Sequence, residues 1–145
     1  RCAKENLKNE TDELKFLKSA TRLFFPRESP LVNALYKAYM LAAIIECEAG
    51  NQSYEGKLAV GSVVVNRVNS PRFANSISGV IYASGQFTPV ASGRFTIVLS
   101  RGASASCVQA AQEVLNGNVT INALYFHVYA AVSTPMHGDW RPYFY

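Results

Sequence analysis

Apolar positions dominate the stretch from Leu31 to Glu48 and recur at helical spacing, which predicts a strongly buried helix. Gly50 stands where such a helix would stop. A second helix is predicted from Tyr54 to Asn69. Ser53 is placed to cap it, and Glu55 favours its first turn. Leu58, Ala59, Val63 and Val64 form its packing face, which Val60 and Val68 widen. Its valines make a strand the rival reading, and the length of the segment decides for helix. Pro71 follows its end. Asn75 is placed to cap a short third helix through Ile77, Val80 and Ile81. Ser84 to Phe95 holds Gly85, Pro89 and Gly93 beside two phenylalanines and reads as a loop with aromatic content, a usual component of a binding cleft. Ala103 to Leu115 reads as a fourth helix ended by Gly117. Leu124 to Tyr129 is aromatic and β-branched, hence a strand, and Trp140 to Tyr145 is predicted as a second one. Ahead of all this, Arg1 to Phe25 is charged with sparse leucines and reads as a surface helix or a pair of short ones, punctuated by Pro26 and Pro30. The expected organisation is an N-terminal helical extension, residues 1–30, packed on a core domain, residues 31–145.

Composition sharpens this picture. A chain of 145 residues with 49% hydrophobic residues can build a core, so disorder is excluded. A net charge of +4 suits an anionic polymer. No basic run marks a nucleic-acid arm, so nucleic acid is not the expected partner. No segment reaches the roughly 18 continuous apolar residues of a membrane span. The chain begins with Arg1 and shows no signal-peptide pattern, which suggests a processed product or a single domain. Three cysteines, Cys2, Cys47 and Cys107, are an odd number and do not read as a disulfide framework. Cys47 and Cys107 are expected as small buried thiols, with pairing across two helices as the alternative. Asn9, Asn51 and Asn118 each begin a glycosylation sequon, a short pattern with many chance matches.

The chemistry concentrates at the end of the first helix. Glu48 shares a face with Leu41, Ile44 and Ile45. A carboxylate held against apolar side chains is desolvated, which raises its pKa, and the negative end of the helix macrodipole acts in the same direction. A carboxyl group that keeps its proton near neutral pH is what a general acid requires. Glu46 lies two positions earlier, turned about 200° away, so the two cannot act on one atom. Spacing alone leaves open that Glu48 is a solvated surface group. His127 and His137 lack the spacing of a zinc helix, and there is no Cys-x-x-Cys, so no metal and no cofactor is expected. No nucleophile elbow and no phosphate-binding glycine loop appear. A Cys47–His127 nucleophile pair has no local support. Tyr125, Phe126 and Tyr129 suit either a core or a platform for sugar rings.

Several separated blocks carry a resemblance. They are Ile45-Glu46-Cys47-Glu48-Ala49-Gly50, Tyr54-Glu55-Gly56-Lys57-Leu58-Ala59-Val60, Val64-Val65-Asn66-Arg67-Val68 and Ser70-Pro71-Arg72-Phe73. Val80-Ile81, Gly85-Gln86-Phe87-Thr88-Pro89-Val90 and the helix from Val108 to Gly117 leading into Ala123-Leu124-Tyr125-Phe126 continue it. In order and spacing these resemble the spore cortex-lytic cell-wall hydrolases (SleB/CwlJ type), from about Leu31 to Tyr145. The resemblance implies a mainly helical α+β domain, lysozyme- and lytic-transglycosylase-like, with a small antiparallel sheet. It implies extracytoplasmic action, in the cell wall or spore cortex, on the glycan strand of peptidoglycan, alongside accessory spore or wall proteins. It assigns the catalytic role to Glu48, because Cys47-Glu48-Ala49 occupies the family's Gly-Glu-Ala or Gly-Glu-Ser triplet. Cys47 there replaces a small glycine. Val128-Tyr129 stands where the family has an Asn-Pro turn, and the segment from Met136 to Pro142 is compressed.

The implied reaction is cleavage of the β-1,4 bond between N-acetylmuramic acid and N-acetylglucosamine. A single acid suffices if the sugar's own C6 hydroxyl attacks, which gives a 1,6-anhydro product. Hydrolysis would need a second carboxylate or an activated water, for which Glu55 and Asp139 are the candidates. Gln86, Tyr125 and Phe87 are the expected substrate contacts, Gln86 because its amide suits acetamido groups. Glu55 is expected to support the second helix and is counted with the substrate-binding residues. Two other readings stay open: a wall-binding module without activity, and an amidase acting through zinc or a cysteine.

Overall fold

A helix whose second half is buried organises the molecule. The computed structural model describes residues 29–127 together with Tyr143 and Phe144. Helix α1 spans Pro30–Ala49, with Pro30 in its first turn, where a missing N–H costs nothing. Its second half is enclosed on every side: Met40, Leu41, Ala42, Ala43, Ile44 and Ile45 are all buried. A helix apolar all round has to be surrounded by others. Here α2 (Tyr54–Val68), α5 (Arg94–Arg101) and α6 (Ala105–Leu115) pack against it, with the short α3 (Ile77–Tyr82) and α4 (Thr88–Ala91) completing the shell. Tyr39 donates to the Leu99 carbonyl, which ties α1 to α5.

The ends of these helices follow their sequence signals with three shifts. Ser53 caps α2 as expected, its Oγ accepting the Gly56 amide at 3.2 Å, an arrangement worth about 1 kcal/mol. The cap of α3 is Ser76 and not Asn75: its Oγ accepts from the Gly79 amide. Helix α6 begins at Ala105, with Ser104 at its N-cap. Gly50 ends α1, but in a right-handed conformation, φ −56°. Close approach explains it, since a Cβ there would lie 2.6 Å from the Glu46 carbonyl oxygen.

Gly61 sits where α1, α2 and α6 meet. A Cβ on it would lie 3.0 Å from Ile45 Cδ1 and 3.2 Å from Val114 Cγ2, so the missing side chain sets how closely the three helices approach. Both Cys47 and Cys107 are buried free thiols in this core.

The region read as an aromatic loop, Ser84 to Phe95, is instead partly helical. It contains α4 and runs into α5. Phe95, Val98 and Leu99, at helical spacing, bury the inner face of α5. Gly85 and Gly93 fall at the joints between short helices and Pro89 in the first turn of α4, and that punctuation resembles a loop when read alone.

Of the two expected strands, Phe126–His127 and Tyr143–Phe144 are described, paired antiparallel with Phe126 opposite Phe144. Each is two residues long, too short to establish the small sheet. The described architecture is therefore mainly helical. The N-terminal helical extension, Cys2, Asn9, Val128, Tyr129 and the segment from Met136 to Pro142, with His137 and Asp139, lie outside the described residues.

Candidate active site

The C-terminal turn of α1 carries two carboxylates with opposite surroundings. Glu46 is tied down. It accepts hydrogen bonds from Arg101 at the end of α5 and from the Ser104 amide at the start of α6. Burial alone would raise its pKa. The Ser104 N–H and the guanidinium of Arg101, with Arg94 further off, outweigh that and hold it below the ordinary carboxylate value.

Glu48 has no hydrogen-bond or ion-pair partner among the described residues. It is half-buried in the last turn of α1, and desolvation holds its carboxyl above the ordinary range, with the positive charge of Arg94 opposing in part. The helical turn before it is apolar, with Ile44 and Ile45 both fully buried. A carboxyl shifted toward its protonated form, unpartnered among the described residues and reached by solvent, can give a proton to a bound molecule and take one back.

Cys47, between them, is buried, and burial pushes its thiol up to about 11. A thiol so poorly ionised near neutral pH is a weak nucleophile. This disfavours the cysteine route to amidase chemistry. Among the described residues no three His, Cys, Asp or Glu side chains cluster as a metal site.

A second group of residues gathers around Arg67, which the sequence reading did not single out. Arg67 is 4% exposed. Its guanidinium carbon lies 5.1 Å from the Phe73 ring centroid, 5.3 Å from that of Phe87 and 5.4 Å from that of Tyr125. Its Nε donates to the Leu124 carbonyl at 2.7 Å. The neighbouring Asn66 donates from Nδ2 to the carbonyls of Ile121 and Ala123, at 2.9 and 3.0 Å. One turn earlier on α2, Ser62 accepts the Thr120 amide at 3.0 Å. The end of α2 thus holds the chain from Thr120 to Leu124 by its backbone and sets the base of Tyr125. A signal for this was present: Arg67 follows Val60, Val63 and Val64 by seven, four and three positions, which puts it on the buried face of α2.

The expected contact residues divide between these places. Tyr125 and Phe87 are brought together through Arg67. Tyr125 is half-buried, with Phe73 tilted against it at 5.9 Å. Phe87 departs from expectation. It is 4% exposed and packs against Phe126, so it belongs to the core and has little surface to offer a sugar. Gln86, next to it, is exposed. Glu55 is exposed in the first turn of α2 and has no hydrogen bond to Glu48 among the described residues.

The family model for cell wall hydrolases matches residues 51–143, most of the chain. The chain belongs to that family. Glu48 lies just ahead of the matched stretch. Two curated relatives of this cell wall hydrolase are spore cortex-lytic enzymes. The one from Bacillus subtilis (strain 168) is 46% identical over 55 residues, 38% of this chain and 18% of that protein. The one from Bacillus cereus is 35% identical over 88 residues, 60% of this chain and 32% of that protein. The match therefore spans about a third or less of these relatives. Among solved structures, the catalytic domain of Bacillus cereus SleB superposes with a TM-score of 0.58 at 29% identity, over 68% of this chain and 75% of that one. The catalytic domain of the germination-specific lytic transglycosylase SleB from Bacillus anthracis gives 0.57 at 33% identity, over 67% and 78%.

Proposed function

We propose that this cell wall hydrolase domain cleaves the glycan strand of peptidoglycan outside the cytoplasm, with Glu48 as its acid and base. The observation that carries the reading is the setting of Glu48: half-buried, without a hydrogen-bond or ion-pair partner among the described residues, and shifted by desolvation toward its protonated form. Family membership supplies the substrate class. Protonated Glu48 donates to the oxygen bridging N-acetylmuramic acid and N-acetylglucosamine. The bond from the muramyl carbon to that oxygen breaks, and positive charge develops on the carbon. The muramyl C6 hydroxyl then forms a bond to the same carbon, and ionised Glu48 accepts its proton. The products are a 1,6-anhydro-muramyl end and a free N-acetylglucosamine hydroxyl, and Glu48 is protonated again.

A lytic transglycosylase of this kind needs one carboxyl group, which suits a site where Glu46 is already committed to Arg101 and Ser104. A hydrolytic muramidase would call on a second carboxylate or an activated water, and exposed Glu55 is the described candidate. Gln86 and Tyr125 are the proposed substrate contacts, and we read the pairing of Phe126–His127 with Tyr143–Phe144 as part of a small antiparallel sheet beside them.

Mass spectrometry of fragments released from purified peptidoglycan tests the chemistry. Anhydro-muramyl ends are expected. Reducing muramic acid ends would move the assignment to a muramidase. Binding to insoluble peptidoglycan without release of fragments would make the domain a wall-binding module.

A further inference from the structure

Arg67 is a buried cation without a carboxylate partner among the described residues. Such a charge is costly to bury, and an apolar side chain of similar length would fill the space at lower cost. What Arg67 has in place of a counter-ion is the faces of three aromatic rings and one carbonyl. Its Nη1 is buried with no hydrogen-bond partner among the described residues. Two of those neighbours, the Leu124 carbonyl and the Tyr125 ring, are consecutive in the chain. The guanidinium therefore holds both the backbone leading into Tyr125 and the ring itself. Arg72 reaches the Tyr125 hydroxyl, Nη2 to Oη 3.5 Å, and the Phe73 ring is tilted against that of Tyr125. Among the described residues nothing comparable holds the exposed Gln86 side chain.

We infer that Arg67 is a positioning residue for substrate: it fixes the orientation of Tyr125 so that the ring meets the glycan already in place. This rests on the proposed role of Tyr125 as a sugar contact. A ring immobilised before binding loses little rotamer freedom when a sugar packs on it, and that saving appears as affinity. Arginine suits the task better than lysine. Its planar group can lie flat against rings while its Nε makes a directed bond, whereas an ammonium offers only a point charge. Because Arg67 acts through Tyr125, its loss should weaken substrate binding and leave proton transfer at Glu48 largely intact.

Steady-state kinetics on a soluble GlcNAc–MurNAc tetrasaccharide, with thermal melts of each variant, test the inference. Tyr125→Ala is expected to raise KM about tenfold with kcat changed less than about threefold. Arg67→Met is expected to raise KM by a similar factor. The double variant should be no worse than the poorer single one, because both remove the same arrangement. Arg67→Lys keeps a cation under the rings without the directed bond to Leu124, and should raise KM about threefold. It serves as the decisive variant if Arg67→Met does not fold. A lowered melting temperature with unchanged KM in the Arg67 variants, while Tyr125→Ala raises KM, overturns the inference and leaves the sugar contact standing. So do independent, multiplicative effects in the double variant. An unchanged KM in Tyr125→Ala removes the contact itself, and the role of Arg67 with it.

Discussion

Glu46 and Glu48 are the same residue type, on the same turn of the same helix, two positions apart, and they are driven in opposite directions. Glu46 meets a guanidinium and a backbone amide and is held ionised. Glu48 is desolvated, finds no donor among the described residues, and is shifted toward its protonated form. Both are desolvated, so burial does not separate them. What separates them is whether donors are available on the face each one presents. The 200° rotation between adjacent-but-one helix positions thus assigns one carboxylate to architecture and the other to chemistry.

The comparison breaks most sharply on activity. Glu48→Gln should lower the rate of fragment release from peptidoglycan by roughly 10²- to 10⁴-fold. Glu46→Gln, assayed well below its melting temperature, should stay within a few-fold of the parent. Equal losses in the two variants would end the division of roles.

Stability should show the reverse order. Glu46→Gln weakens its bonds to Arg101 and Ser104 and should cost about 1–2 kcal/mol, the exposure of Arg101 keeping the figure modest. Chemical denaturation at neutral pH measures this. Glu48→Gln should raise stability at the same pH, by less, since it removes a charge the fold does not solvate.

The pH dependence of melting separates the pair again. The folded state holds the Glu46 proton less tightly than the unfolded chain does. Its contribution is therefore present above the ordinary carboxylate value of 4.5 and is lost as pH falls through its lowered folded value. For Glu48 the sign reverses. Its contribution is present below 4.5 and is lost as pH rises through its raised folded value. Melting curves of Glu48→Gln should thus gain on the parent as pH rises above 4.5, and those of Glu46→Gln should lose on it as pH rises toward 4.5 from below.

The smallest effect belongs to Arg94, whose charge opposes the shift on Glu48. Arg94→Gln should move the alkaline limb of the activity profile to higher pH, because the acid then keeps its proton longer. A move to lower pH would contradict the electrostatic picture.

Much of this was readable in the sequence. The apolar run from Ala38 to Ile45 pointed to the buried helix and made desolvation of Glu48 one of two open readings, since each depends on neighbours within seven positions. The 200° rule denied Glu46 a shared role with Glu48. It did not reveal what Glu46 does, because Arg101 and Ser104 lie 55 and 58 positions away. Helix α5 was missed although Phe95, Val98 and Leu99 have helical spacing. Its eight residues are bounded by Gly93 and Gly102, and the glycines dominate so short a window. Phe87 was read as a cleft aromatic because its flanking Gly85 and Pro89 suggest a surface loop. Its partners Phe126 and Arg67 exist only in three dimensions.

The coil from Thr120 to Leu124 has a consequence for how the chain folds. Its backbone is held by Ser62, Asn66 and Arg67, partners 55 to 58 positions earlier. Closing a loop of that length before α2 and α6 have docked costs entropy that nothing local repays. The wall that carries Tyr125 should therefore order after the helical core, with substitutions at Asn66 speeding unfolding while leaving the folding rate nearly unchanged.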